Sequence, residues 1–513
     1  MKRVVVLIIL DGWGIGQNDQ SNPVYVVNPP AINYLKENFP FAGLQASGIA
    51  AGLPWGEEGN SEIGHLNIGS GKVVYQNYPR ISLAIRDNSF FKNETILKAF
   101  EHSKKNNSAV NLIGLLSDGV VHSAFEHLEA LIKFAQIQKI DNLNIHLITD
   151  GRDSSPTSSL EILSRLPPET KKNIASISGR FFSMDRDKNW DRIKKYYDII
   201  TNEGAETKDF ENYIKNAHKQ GYSDEYISPI LVDSKKIIKE NDAIIFFNFR
   251  EDRMRQIAET FIDKNFSQFQ SKKFSNLFVV QMISYSDKFI APVAFPKEII
   301  ADPLSKIIAD AGKIQFKIAE TEKYAHITYF FNGENEAPFK NEYRVLIPSR
   351  KELNHASHPE MMANEITSRV IEAINEGTYD FIVANYANPD IIAHTGNYDA
   401  SLEAVKTIDR QIDKITKTVL DKNAILIITS DHGNIERMFD PTTGEPETKH
   451  DPSPVPIHLV TKEFKYKKDA LEIKKSEKST IGILADIAPT ILEIMGLPKS
   501  KEMTGQSLLK LLT

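Results

Sequence analysis

At 513 residues the chain exceeds one ordinary hydrophobic core, so two domains are the default expectation. Charged residues make up 25% and apolar ones 41%, and the net charge of −6 gives no basic field for nucleic acid or an anionic membrane. The lack of any cysteine removes disulfides, thiol redox chemistry and thiolate metal sites, leaves Asp, His and Ser as ligand types, and fits a cytoplasmic enzyme.

In chain order, the first element is the apolar run VVVLIIL, which follows Met1-Lys2-Arg3 and meets Asp11. Its flanks resemble a signal peptide. The run is short, however, and has no small-residue cleavage site, so it reads as a buried parallel strand. No other segment approaches the roughly 20 apolar residues that span a bilayer. Similar runs recur, each ending in a polar motif. VNLIGLLS reaches Asp118 with His122 just beyond, NIHLIT reaches Asp150, IASIS reaches Arg180 and AIIFFNF reaches Arg250. FIVANYAN then leads to Asp390, and AILIITS reaches Asp431. Helical patterns alternate with these runs, around residues 125–137, 188–201 and 400–420. The alternation predicts α/β architecture with mainly parallel sheets, whose ligands bind at the carboxyl ends of the strands.

Five short motifs carry chemistry: ILDGWG with Asp11, GNSEIGH with Ser61, NPDIIAHTG with Asp390 and His394, SDHGN with Asp431 and His432, and KH with His450. Together they hold three Asp, three His and one Ser, a donor set suited to two divalent cations, with the serine as an activated nucleophile. DGWGIG partly mimics a nucleotide loop, but Asp11 directly after the strand makes that match poor. Ser61 also reads as a helix N-cap, and a serine there has backbone N–H groups nearby to receive phosphate oxygens. His65, His355 and His358 are set aside, because a lone histidine is more often packing or surface. The metal-type motifs occupy residues 11–65 and 390–450 and the arginine-type motifs 122–255, which suggests one domain inserted into another. Crossings near Tyr78-Pro79 and near Pro292 to Pro296 give a metal domain of 1–77 and 298–513 around an insert of 78–297. The lysine-rich stretch 462–478 reads as a solvated face.

The ordered motifs ILDGWG, GNSEIGHLNIGSGKVVYQ, TDGRDSSP, GRFFSMDRD, FNFREDRMRQ, TEKYAHIT, PDIIAHTG and SDHGN run essentially end to end. In them the chain resembles the cofactor-independent phosphoglycerate mutases of the alkaline phosphatase superfamily. The resemblance implies a phosphatase-like domain carrying two Mn²⁺ ions, with an inserted α/β transferase domain that holds substrate, in a monomer. By position, one ion would be held by Asp390, His394 and His450, and the other by Asp11, Ser61, Asp431 and His432. Zn²⁺ and Co²⁺ also suit such a donor set. Ser61 would be the phosphoserine nucleophile and Asp153 the general acid and base. His122, Arg152, Asp153, Arg180, Arg186, Arg250, Arg253 and Lys323 would bind substrate. Around His122 the family form is Ser-Asp-Gly-Gly-Val-His-Ser-His, whereas this chain reads SDGVVHSAF, with Val120 for a glycine and Ala124 for a histidine.

Phosphoglycerate carries a phosphate and a carboxylate, which planar guanidinium groups match with paired hydrogen bonds, so the five arginines form a sensible anion cradle. A closing second domain would keep water from the phosphoserine. The alternatives are a phosphomonoesterase or phosphopentomutase on the same metal core, and a non-catalytic metal-binding scaffold. The arginine segment favours a mutase over the first, and a full ligand set with Ser61 argues against the second.

Overall fold

The structure, a computed structural model, describes residues 3–351 and 354–513, which divide into two compact units. One comprises the chain up to Gln76 together with Glu298–Thr513, and the other is Asn77–Lys297.

The first unit is built on an eight-stranded sheet. Its strands, in spatial order, are Glu342–Ile347, Gln315–Glu320, Phe381–Tyr386, Val5–Leu10, Ile425–Thr429, Val455–Val460, Phe41–Gln45 and Thr480–Ile483. Val5–Leu10 is apolar on both faces because both are covered. Val6, Ile8 and Leu10 pack into one core, and Val5, Leu7 and Ile9 into the other. Each such side chain contributes about 1.5–3 kcal/mol of hydrophobic stabilisation. Among the helices over this sheet, Tyr398–Asp421 buries Ala404, Val405, Ile408, Ile412, Ile415 and Val419, one face at helical spacing. Its N-terminus is capped by Asn397, which accepts from the Ala400 N–H at 3.0 Å.

Strand register positions the chemistry. Val5–Leu10 pairs in parallel with Phe381–Tyr386 and with Ile425–Thr429, placing Leu10 beside Tyr386 and Ile9 beside Thr429. The residues that follow all three strands therefore emerge at one edge. Val455–Val460 departs from the parallel expectation, pairing antiparallel with both Ile425–Thr429 and Phe41–Gln45. The reason is the connection: residues 430–454 return to the sheet without a crossover helix, which leaves His450 at the same end as Asp431.

The second unit holds six strands in the order Ile230–Leu231, Ile174–Gly179, Leu143–Thr149, Val110–Leu116, Ala243–Phe246 and Phe278–Gln281, parallel except for the first. Leu116 is level with Thr149, and Thr149 with Gly179. Thus 117–122, 150–154 and Arg180 also leave from one edge. Each unit repeats one local device: Asp11-Gly12 and Asp150-Gly151 end a central strand with an aspartate, then a glycine at φ 70°. Among the described residues, no helix is long and apolar enough to cross a membrane.

Candidate active site

Asp11, Ser61, Asp390, His394, Asp431, His432 and His450 converge in the first unit. Gly12 lets the first loop approach the third, since a Cβ there would stand 2.8 Å from Asp390 Cα. Ser61 opens the helix Ser61–Ser70; the cap is Asn60, whose side chain accepts the Ile63 N–H at 3.0 Å, so the reading of Ser61 as N-cap is corrected by one residue. Asp390 lies in the short helix Asn388–Ala393, and His394 ends it.

Two groups can be distinguished. Asp390 Oδ1, His394 Nε2 and His450 Nε2 lie 3.0–3.3 Å from one another. Ser61 Oγ is 3.1 Å from Asp11 Oδ1 and 2.9 Å from His432 Nε2, and that nitrogen is 3.5 Å from both Asp11 Oδ1 and Asp431 Oδ2. The His432 and His450 rings stack with centroids 3.9 Å apart and so join the groups. Lys323 Nζ donates to Asp11 Oδ1 at 2.5 Å, Ser61 Oγ at 2.7 Å and Asp390 Oδ2 at 2.6 Å. Lys323 therefore sits among the candidate cation ligands, where its ammonium can neutralise a phosphate beside them.

Each imidazole is backed by a carbonyl. Nδ1 of His394, His432 and His450 faces the oxygens of Thr448, Gly433 and Gly59 at 2.8, 3.2 and 2.7 Å. A carbonyl only accepts, so Nδ1 is the donor and Nε2 is aimed into the cluster, the usual support for a metal-ligating histidine. Burial works to raise the Asp431 carboxyl, but its contacts with His432, His65 and Lys323 hold it well below the ordinary range. Asp390 is likewise depressed, burial being outweighed by Lys323 and by hydrogen bonds from His394 and His450. Burial pushes the His432 imidazole down, yet Asp431, Asp11 and Asp390 carry it up to about 10. Among the described residues Asp431 Oδ2 is buried with no well-formed hydrogen bond, its nearest donor being His65 Nδ1 at 3.2 Å. Three buried carboxylates, three oriented imidazoles and that orphan oxygen fit divalent cations, and two overlapping ligand groups, Asp390-His432-His450 and Asp11-Asp431-His432, meet the distances for one.

Several participants carried no sequence signal strong enough to select them. Asn385 Nδ2 donates to Asp11 Oδ2 at 2.7 Å, and Asn434 Nδ2 to Asp390 Oδ1 at 2.8 Å. His65 is fully buried with Nδ1 3.2 Å from Asp431 Oδ2, whereas His355 and His358 line a separate small cavity with Glu320 and Arg350. Glu436 explains the last two glycines of DGWGIG. Its Oε2 accepts the Gly14 N–H at 2.9 Å and the Asn434 N–H at 2.8 Å, and a Cβ on Gly14, Gly16 or Gly433 would overlap its side chain. Gly14→Ala is expected to destabilise the protein by about 1–3 kcal/mol by overpacking. An unchanged denaturation midpoint would remove this account of the loop.

In the second unit the arginine-type residues also gather. Arg180 is buried, donating to Asp150 Oδ1 at 2.5 Å and to Asp153 Oδ2 at 2.7 Å. Asp150 Oδ1 also accepts the Arg152 and Asp153 N–H groups, at 3.2 and 3.1 Å. Arg186, Arg250 and His122 meet on Asp252, which the sequence reading passed over, at 2.8, 3.4 and 3.6 Å. Arg152 is exposed, 3.5 Å from Glu225, and Arg253 donates to Met184 O at 3.2 Å. Burial and the like charges of Arg180 and Arg186 lower the Arg253 guanidinium, as expected where cations crowd together. Val120 carries no positive φ, so replacing the family glycine costs no left-handed backbone, and the His122 carbonyl is held by the Phe249 N–H at 2.9 Å. Burial, then Arg180, pushes His122 down to about 4. Its folded value lies below the unfolded one, so the ring destabilises the protein as pH falls from about 6.5 towards 4, and it is neutral at pH 7. An NMR titration midpoint for this ring near 6.5 would contradict that environment.

A buried Asp/His/Ser cluster whose donors fit divalent cations, at the carboxyl ends of a mainly parallel sheet, and a set of arginines and aspartates at the strand ends of the other sheet are the marks of an α/β phosphotransferase. Residues 81–287 match the family described as BPG-independent PGAM N-terminus. The 2,3-bisphosphoglycerate-independent phosphoglycerate mutase 1 of Methanosarcina barkeri is 43% identical over 99% of this chain and 98% of its own length. The mutase of Clostridium novyi is 42% identical over 99% and 100%. A Leishmania mexicana phosphoglycerate mutase, whose crystal structure was determined at low cobalt concentration, aligns with a TM-score of 0.54 at 26% identity, covering 99% of this chain and 97% of its own. The chain belongs to the 2,3-bisphosphoglycerate-independent phosphoglycerate mutase family.

Proposed function

We propose that the protein interconverts 3-phosphoglycerate and 2-phosphoglycerate by passing the phosphoryl group through Ser61, with no 2,3-bisphosphoglycerate required. The observation that carries this reading is the setting of Ser61 Oγ, which lies within 3.1 Å of Asp11, His432 and Lys323 at the start of a helix. Asp390, His394 and His450 would hold one divalent cation and Asp11, Ser61, Asp431 and His432 a second, manganese on this reading with zinc or cobalt also suited, and when bound these supply Lewis acidity that activates the serine and offsets phosphoryl charge.

Ser61 Oγ enters the cycle as the alkoxide, its proton having left to solvent beforehand, and attacks phosphorus while the bond from phosphorus to the glycerate oxygen breaks. The second half-reaction returns it as the alkoxide. The Lys323 ammonium, which its buried carboxylate neighbours keep protonated despite the opposing effect of burial, steadies the charge on Oγ and on the phosphoryl oxygens. Asp153 gives its proton to the departing glycerate oxygen. Glycerate remains held by its carboxylate on the guanidinium groups of Arg152, Arg180, Arg186, Arg250 and Arg253. Its other hydroxyl then yields a proton to Asp153 and attacks the phosphoserine, restoring Ser61. Arg180, fixed between Asp150 and Asp153, sets the orientation of the proton-carrying carboxylate. His122, neutral at pH 7, serves as a hydrogen-bonding group on glycerate.

The small anionic substrate suits this cradle, the net charge of −6 argues against a nucleic-acid partner, the absence of cysteine fits the cytoplasm, and a monomer follows from the family resemblance. A dimer mass in light scattering would remove the monomer. Acid quenching during turnover followed by mass spectrometry is expected to recover phosphate on the Ser61 peptide. Phosphate on another residue, or on none, would overturn the relay. Metal uptake at pH 8 is expected to release at least one proton, because His432 is protonated without metal and must be neutral to coordinate. Calorimetry in two buffers of different ionisation enthalpy reads this directly, and zero release would contradict coordination by His432.

A further inference from the structure

His65 lies one turn beyond Ser61 on the helix Ser61–Ser70 and has no exposed surface. Its protonation state follows from its partners. Asn385, also fully buried, has its Nδ2 2.7 Å from Asp11 Oδ2 and 2.9 Å from His65 Nε2. An ionised carboxylate accepts only, so the amide nitrogen must face Asp11. Its second hydrogen then points at His65 Nε2, which is the unprotonated nitrogen. The ring proton is therefore on Nδ1, 2.8 Å from the Ser61 carbonyl oxygen and 3.2 Å from Asp431 Oδ2. His326 packs beside the ring with centroids 5.4 Å apart, closing the far side. One neutral imidazole of defined tautomer thus touches the backbone of Ser61, approaches the carboxylate of Asp431, and reaches Asp11 through Asn385. No hydrogen bond or ion pair joins it to Asp390, His394 or His450 among the described residues.

We propose that His65 and Asn385 are positioning residues for one cation site alone: they hold Asp11, Ser61 and Asp431 in ligand orientation and leave the Asp390-His394-His450 site untouched. This rests on the two-cation reading given above. Supporting hydrogen bonds of this type typically tune metal affinity by about 10–100-fold. A buried imidazole that merely filled space would weaken both sites or neither.

The test is Mn²⁺ uptake by metal-stripped protein, measured by calorimetry and checked by elemental analysis, alongside thermal denaturation. Wild type is expected to bind two equivalents. His65→Leu is expected to keep one equivalent at wild-type affinity while the other weakens by about 10–100-fold, and Asn385→Leu to weaken the same one. His65→Asn, whose amide can place an N–H where Nδ1 stands, is expected to lose less than His65→Gln, whose amide reaches only the Nε2 position. That pair carries the test if His65→Leu does not fold. Unchanged uptake in His65→Leu, equal weakening of both equivalents, or equal loss in His65→Asn and His65→Gln would each overturn the proposal. A wild type that binds fewer than two equivalents would instead remove the two-cation reading, and this inference with it.

Discussion

Ser61→Ala is expected to lower turnover by roughly four orders of magnitude or more, because no other hydroxyl can replace an attacking nucleophile that works as one unit with its activating groups. The fold gives this experiment a clean background. Asn60, and not Ser61, caps the helix, so the substitution removes no capping hydrogen bond. Alanine is also the best helix former, so the stability cost should stay within about 1–3 kcal/mol, that of the hydrogen bonds Ser61 Oγ makes with Asp11, His432 and Lys323. Activity within tenfold of wild type would show that phosphoryl passes through some other atom.

Lys323→Met is expected to have the second largest effect, and on two properties at once. The ammonium is buried between Asp11 and Asp390, and removing one partner of a buried charge cluster costs about 3–5 kcal/mol because the remaining charges stay uncompensated. Metal-free protein should lose about that much stability in chemical denaturation. Manganese should then stabilise the variant more than wild type, since the cations take over the compensation that the ammonium gave those carboxylates. Turnover in the loaded variant should fall by about 10²–10³-fold, the usual loss on removing a donor aimed at developing negative charge. The pH dependence has a defined sign. Asp11, Asp390 and Asp431 all titrate below their ordinary value, so their contribution in metal-free wild type is present above about pH 4 and is lost as pH falls below it. Equal stability of variant and wild type at pH 7 would mean that Lys323 compensates nothing.

The strands were legible because buried parallel strands are apolar on both faces. VVVLIIL, FIVANY and AILIITS read as buried strands, and their mutual register explains why Asp11, Asp390 and Asp431 meet. The strand Val455–Val460 was not legible, since Pro456 and the buried His458 interrupt its apolar run. Its antiparallel return is nevertheless what places His450 in the cluster. Glycines were visible but their reason was not. Gly14 and Gly16 answer to Glu436, more than four hundred residues along the chain, and a local reading of DGWGIG can only compare it with nucleotide loops. His65 and Asn385 likewise look ordinary in sequence, because a supporting hydrogen bond between distant segments has no periodicity. Asp252 was overlooked between two arginines for the opposite reason: the arginines drew attention to an anion outside the protein, whereas His122, Arg186 and Arg250 already share one within it. A substrate carboxylate or phosphate therefore has to compete with, or join, an existing ion-pair network.

The most direct test of the whole account is a phosphorus NMR time course on 3-phosphoglycerate with manganese-loaded protein and no 2,3-bisphosphoglycerate. The account predicts conversion to 2-phosphoglycerate at constant total phosphate ester. Release of inorganic phosphate alone, or conversion only after 2,3-bisphosphoglycerate is added, would contradict it.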